Sequence, residues 1–415
     1  MKPKINLLYE NNGVNAPMIS DRFPYVNAIP TKIALQTMPK ERISSCAAHA
    51  HFGNLGSTFY TLFSVNTTIP KGSKFYYPIT FDLRQLLSKV EQISIPIEVI
   101  DEINNGMCKV LIVCVYEGWD WPIFEALISP LAANHNIDVD KFVVASANFT
   151  KHYMYHTIYF NHWEISSRYT ADYREIAYDT IFNQSPREYK FICLNKRSTF
   201  HRFPVVTKLF QYRNQGLLSF WQKGYTQDDG PPKLTHYNNQ KKRFAHEFPS
   251  AFQEWETLKI ENSLPLVLPL ELDPYDIRNS NPVDDKYIEK FFKSYLHIVT
   301  ETEIAGQGFF SEKTFKPFMY FQPFVFVGQY QGLAKLRDLG YKTFSSIIDE
   351  SYDNEINTLL RIEKASNAAI NFINRNDLHE VMKQIWPILE HNNSLFRQRF
   401  DLIIDNLSLD LKHYL

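Results

Sequence analysis

Two stretches of the chain alternate short apolar runs with amphipathic ones. Residues 109–116 (KVLIVCVY) form an almost continuous apolar run rich in β-branched side chains. That is the pattern of a strand buried on both faces of a parallel sheet. Residues 122–134 then carry Ile123, Phe124, Leu127, Ile128 and Leu131 at helical spacing, and residues 141–147 (KFVVASA) return to a buried strand. Strand, helix and strand within about 40 residues make a βαβ unit. Upstream, residues 74–81 read as a strand and 83–90 as a short helix, while 1–75 show no clear period and mix short strands with loops. A second block begins near Tyr189. It predicts strands at 191–194, 217–221, 295–300 and 324–327, and helices at 199–212, 241–258, 284–294, 311–320 and 333–339. Gly340 stands where a helix C-cap needs a glycine, and residues 264–282 are proline-rich. From Asn354 onward the pattern is mostly helical, with breaks expected near Arg375-Asn376 and His391-Asn392. The expected fold is α/β: two Rossmann-like domains facing a cleft, over residues 1–185 and 186–390, and a helical C-terminal tail over 391–415.

Composition narrows the function. At roughly 150 residues per domain, a 415-residue chain has room for two to three domains. Its 44 Lys and Arg balance 45 Asp and Glu, so no global charge draws it to nucleic acid or acidic lipid. A hydrophobic share of 44% excludes bulk disorder. Cys46, Cys108, Cys114 and Cys193 form no C-x-x-C pair, which argues against zinc ribbons and thioredoxin chemistry and suits a reducing compartment. No signal-peptide pattern and no run near 18 apolar residues is visible, so the expectation is a cytoplasmic protein without a membrane span. With 14 glycines, the chain has neither G-x-G-x-x-G nor a P-loop; Gly306-Gln307-Gly308 comes nearest, with Ser311 in place of the third glycine.

In open α/β sheets, ligands bind outside the carboxyl ends of the strands. Four segments sit there. Ser311-Glu312-Lys313-Thr314 opens a helix; Ser311 is an N-cap, Lys313 can face a diphosphate and Glu312 can accept hydrogen bonds from a ribose diol. An ordinary capped helix reads the same way. Thr300-Glu301-Thr302-Glu303 follows a strand, as a ligand contact or a polar loop. Asn195-Lys196-Arg197 through His201 and Arg202 opens another helix. Arg197, Arg202 and His201 could grip phosphate oxygens, or pair with surface carboxylates. Tyr116-Glu117-Gly118-Trp119-Asp120-Trp121 ends the first block's strand. Glu117 or Asp120 there could act as a general base, though Asp120 also suits a helix N-cap. Other signals are weaker. His49-Ala50-His51 lacks a third metal ligand, and His152, His156 and His162 are spaced too widely along an expected strand to share an ion. Asp138-Val139-Asp140 precedes a strand rather than following one and reads as a turn, and Lys241-Lys242-Arg243 reads as a solvated helix face. No metal site is expected.

Taken in order, 191–197 with Arg202, then 298–302, 310–317 and 322–328, resemble the nucleotide-binding domain of the fucosyltransferase-like GT-B glycosyltransferases. They look still more like a related group of phage and bacterial glycosyltransferases. The likeness spans roughly residues 189–350. It implies inverting, metal-independent sugar transfer from a nucleotide-diphosphate donor to an acceptor hydroxyl, such as a glycan, with no further cofactor. By the resemblance, Glu312 holds the ribose, Lys313 the diphosphate, Arg202 or Arg197 the phosphates, and Glu301 lines the donor pocket. Asn195 and Ser311 belong to the same motifs. Ser311 replaces the usual threonine, and the residues after Glu301 depart from the usual run, so the sugar stays open. Two other readings are open: glycosylation of a hydroxymethylated base in phage DNA, and a non-catalytic nucleotide- or glycan-binding module.

Overall fold

A computed structural model describes residues 4–8, 61–66, 68–80, 95–115, 118, 120–165, 186–195, 198–220, 234–264, 266, 290–305 and 308–415. The chain divides into two compact units, Met1–Ser166 with Arg399–Leu415, and Ser167–Gln398.

The first unit is built on six strands: β1 (Ile5–Leu8), β2 (Phe63–Asn66), β3 (Phe75–Thr80), β4 (Cys108–Cys114), β5 (Phe142–Ser146) and β6 (His156–Tyr159). They lie in the order β2-β1-β3-β4-β5-β6 and every pair is parallel. Val110 to Val115 are buried without interruption, which is why the run lacks polar alternation. Helix α1 (Ile97–Asn104) precedes β4, and α2 (Trp121–His135) buries Phe124, Leu127, Ile128 and Leu131. Asn136 ends α2 in the left-handed region that asparagine tolerates, at φ 51°. The connection from β5 to β6 is fastened along α2 by residues four apart: Trp121 Nε1 donates to Thr150 Oγ1 at 3.1 Å, and Glu125 Oε1 lies 2.9 Å from His152 Nε2. Of the three histidines expected on one strand, only His156 is in one.

The second unit holds β7 (Tyr189–Asn195), β8 (Gly216–Phe220), β9 (Ser294–Thr300) and β10 (Phe324–Val327), all parallel, in the order β10-β9-β7-β8. Its helices are α3 (Arg202–Phe210), α4 (Leu234–Glu247), α5 (Pro249–Thr257), α6 (Glu312–Met319), α7 (Gly332–Asp338), α8 (Thr358–Ile373) and α9 (Leu378–Gln384). A last helix, α10 (Trp386–Tyr414), contributes its start to this unit and its end to the first. Gly216 is required where β8 meets β7: a Cβ there would stand 2.3 Å from the Phe191 ring. In each sheet the first strand sits inside, and the chain winds out to one side and then the other. The reversal falls between β1 and β3, and between β7 and β9.

The single helix expected over 241–258 is two, divided at Phe248, because Pro249 disfavours helical backbone in the residue before it. The break expected at His391-Asn392 is absent, and 391–415 form no separate tail. The end of α10 belongs to the first unit: Tyr76 Oη donates to the Leu411 carbonyl at 2.7 Å, and Arg399 forms an ion pair with buried Glu164. The helix expected over 83–90 and most of that over 284–294 lie outside the described residues. No helix among the described residues is long and apolar enough to cross a membrane.

Candidate functional site

The reversal point between β7 and β9 gathers residues from two distant stretches of the chain, 195–202 and 300–314. Asn195 ends β7, fully buried. Its Oδ1 accepts from Thr300 Oγ1 at 2.7 Å, its Nδ2 contacts Cys193 Sγ at 3.2 Å, and its backbone N donates to Ser219 Oγ. One side chain thus joins β7 to β9 where the strands end.

Glu301 follows β9 and is 0% exposed. Oε1 accepts from the Ser311 backbone N at 3.0 Å and from Thr314 Oγ1. Oε2 accepts from Ser311 Oγ at 2.6 Å and from Thr302 N at 2.9 Å. A buried carboxylate needs such donors, and the start of a helix has them to offer. Ser311 is the N-cap of α6 as expected, its Oγ also receiving Lys313 N at 3.4 Å. The amides of Ser311, Lys313 and Thr314 at the start of α6 are therefore already bonded inside the protein. The Glu301 carboxylate, expected to line a donor pocket, anchors the start of α6. The same device recurs at α7, where buried Asp353 accepts from Leu333 N and Ala334 N.

Arg202 and His201 are also bonded inside the protein. Arg202 is 2% exposed, and its Nη2 donates to the carbonyls of Thr300 and Glu301, both at 3.2 Å. His201 Nε2 lies 2.9 Å from the Glu301 carbonyl, which fixes a proton on that nitrogen. Burial first, then Arg202, pushes His201 down to about 3, against the lesser pull of its bond to the Glu301 carbonyl, so it is neutral. Both hold the end of β9.

The remaining pair faces outward. Glu312 and Lys313 keep 34% and 24% of their side chains exposed, and Lys313 Nζ donates to Glu312 Oε1 at 2.8 Å. Lys313 Nζ also reaches Thr302 Oγ1 at 3.2 Å and Ser311 Oγ at 3.3 Å. Burial alone would raise the Glu312 carboxyl, but Lys313 and Lys316 hold it down to about 2. Two buried oxygens near these strand ends, Ser198 Oγ and Gln329 Oε1, have no hydrogen-bond partner among the described residues. A ligand or water usually completes such atoms.

The structure thus brings together Asn195, Arg202, Glu301, Ser311, Glu312 and Lys313 of the expected site. Arg197, Glu117, Gly306 and the His49-Ala50-His51 pair lie outside the described residues. Asp120 is the N-cap of α2, but it is exposed and its side chain makes no capping hydrogen bond. Thr300 and Thr314 lie in segments read from sequence but were given no role there, although Thr314 stands at the third helical position after the Ser311 cap, where side chains turn back toward a helix start. No group of three or more metal-ligating side chains occurs among the described residues. No family model, curated protein or solved structure matches the chain.

Proposed function

We propose that this protein is a GT-B-like glycosyltransferase that moves a sugar from a nucleotide-diphosphate donor to an acceptor hydroxyl, with inversion and without a metal or other cofactor. The observation that carries the reading is the convergence at the β7–β9 reversal. Segments about a hundred residues apart in sequence meet there, the buried ones brace each other, and one charged pair, Glu312 and Lys313, is left facing solvent. In this reading Lys313 leaves Glu312 for the diphosphate and stabilises the charge that develops on the leaving group. Glu312, ionised throughout the physiological range, accepts hydrogen bonds from the ribose hydroxyls. Glu301, Ser311, Arg202 and Asn195 act as positioning residues, keeping α6 rigid against β9 while the donor binds. Glu117 is the proposed base, from its position after β4, and takes the acceptor proton as the oxygen attacks the anomeric carbon.

A thermal-shift panel of UDP-, GDP- and dTDP-sugars tests the donor assignment. A true donor at 100 times its Kd stabilises by about 2.7 kcal/mol. Lys313→Ala is expected to weaken donor binding at least about tenfold while changing stability by less than roughly 0.5 kcal/mol. Wild-type affinity in that variant would overturn the site. Glu117→Gln is expected to abolish turnover and spare donor binding. Donor binding without turnover onto any acceptor would favour the binding-module reading.

A further inference from the structure

An ammonium group has three N–H donors. Lys313 uses all three inside the protein: Nζ donates to Glu312 Oε1 at 2.8 Å, to Thr302 Oγ1 at 3.2 Å and to Ser311 Oγ at 3.3 Å. Two of these acceptors are neutral hydroxyls, and both belong to residues tied to buried Glu301. Ser311 Oγ and the Thr302 backbone N each donate to Glu301 Oε2. The third acceptor, Glu312, is the only carboxylate paired with Lys313 among the described residues. Against the pull of burial, Lys313 first and then Lys316 keep that carboxylate ionised. The cation of the outward-facing pair is therefore closed on its neighbours, with a partner for every donor.

Inorganic diphosphate reaching this place meets a charge of its own sign. To take Lys313 it must break the bond to Glu312 and leave a half-buried, ionised carboxylate beside the incoming anion. A ligand that carries a vicinal diol next to its phosphates escapes that cost. Its hydroxyls donate to Glu312 in place of the ammonium, while its phosphate oxygens accept from Lys313. Both residues stand in the first turn of α6, whose start Glu301 holds, so the exchange needs rotation of side chains alone. Each half of such a ligand frees the protein group that the other half needs. A site whose polar groups satisfy one another rejects a ligand that can replace only one of them.

Given Glu312 as the ribose ligand and Lys313 as the diphosphate ligand, we propose that their ion pair is a specificity determinant, a role that rests on that donor assignment. It admits a diphosphate that arrives with a ribose diol and turns away inorganic diphosphate. Isothermal titration of the full-length protein tests this, with UDP, GDP, their 2′-deoxy counterparts and inorganic diphosphate, at one ionic strength and without added divalent cations. The wild type is expected to bind UDP or GDP at least about tenfold more tightly than inorganic diphosphate, and at least about fivefold more tightly than the matching 2′-deoxy nucleotide. In Glu312→Gln the two ligands are expected to move in opposite directions. The ribonucleotide weakens and inorganic diphosphate tightens, each at least about fivefold, and the 2′-deoxy nucleotide comes within about twofold of the ribonucleotide. Glu312→Ala is expected to show the same crossing and serves if Glu312→Gln does not fold. Thr302→Val removes a neutral acceptor, leaves the charged pair, and is expected to keep the preference within about twofold of the wild type. Equal tightening of both ligands in Glu312→Gln, or no change in either, would overturn the selection and leave the donor site in place. So would a preference lost as fully in Thr302→Val, or inorganic diphosphate bound by the wild type as tightly as the nucleotides. No binding of any nucleotide would overturn the donor site and the selection together.

Discussion

The two units share a winding, and two of their strands, β4 in the first and β9 in the second, end in different ways. Both sheets are wholly parallel, and both carry their first strand inside with the chain turning back beside it. In the first unit, β4 runs out through Cys114 and Val115, both buried and apolar, and the helix that follows begins at an aspartate that bonds nothing with its side chain. In the second, β9 runs out through Thr300 and Glu301, both buried and polar, and the helix that follows is held by that glutamate. The residues at and just after a strand's end therefore decide whether that end is filled by packing or by hydrogen bonds.

The sharpest way to break the contrast is Glu301→Ala. It strands the Ser311 and Thr302 amides and two hydroxyls in a buried place, and is expected to cost about 3–5 kcal/mol, read by urea denaturation. An effect below about 1 kcal/mol would show that water replaces the carboxylate.

Acid is the next lever. His201 and His297 in the second unit are both pushed down to about 3, chiefly by burial, against roughly 6.5 in an unfolded chain. The unfolded chain takes up protons that the folded one does not, so stability present above pH 6.5 is lost as the pH falls toward 3. By pH 5 the loss is about 2 kcal/mol per histidine. Hydrogen exchange is expected to show β9 amides losing protection between pH 7 and 5 before those of β4; equal loss in both sheets would contradict it.

The smallest effect is expected at Asp120→Ala. With no side-chain capping bond to lose, it should stay within roughly 0.5 kcal/mol in the same denaturation experiment.

Sequence read best where one period dominated. β10 was expected over residues 324–327 and is found there as Phe324–Val327, because FVFV is buried on every residue and leaves no ambiguous edge. The four-residue β1 and β2 were too short to establish a period, although β1 holds the inside place in its sheet. A helix break was expected at His391-Asn392, where an asparagine side chain can compete for nearby backbone. Here Asn392 bonds across to the backbone of Lys342, and its neighbour Asn393 to the carbonyl of Phe318, so α10 continues through them. The site was legible as a set of positions but not as a set of roles. Glu301, Arg202 and Lys313 are all charged residues next to strand ends. Only the fold distinguishes a charge turned inward onto amides and carbonyls from one left facing water.

The helix shared between the units has a consequence for how the chain is made. The second unit is continuous from Ser167 to Gln398, whereas the first waits for Arg399–Leu415. Tyr76 meets its carbonyl partner 335 residues downstream. As the ribosome feeds out the polypeptide from its amino end, the unit begun first is the one finished last. Its six-stranded sheet must persist without its final helix while the other unit is synthesised and closes. That interval, absent from any refolding experiment started with the whole chain, is when the apolar face awaiting Leu407 and Leu411 is open to chaperones and to aggregation.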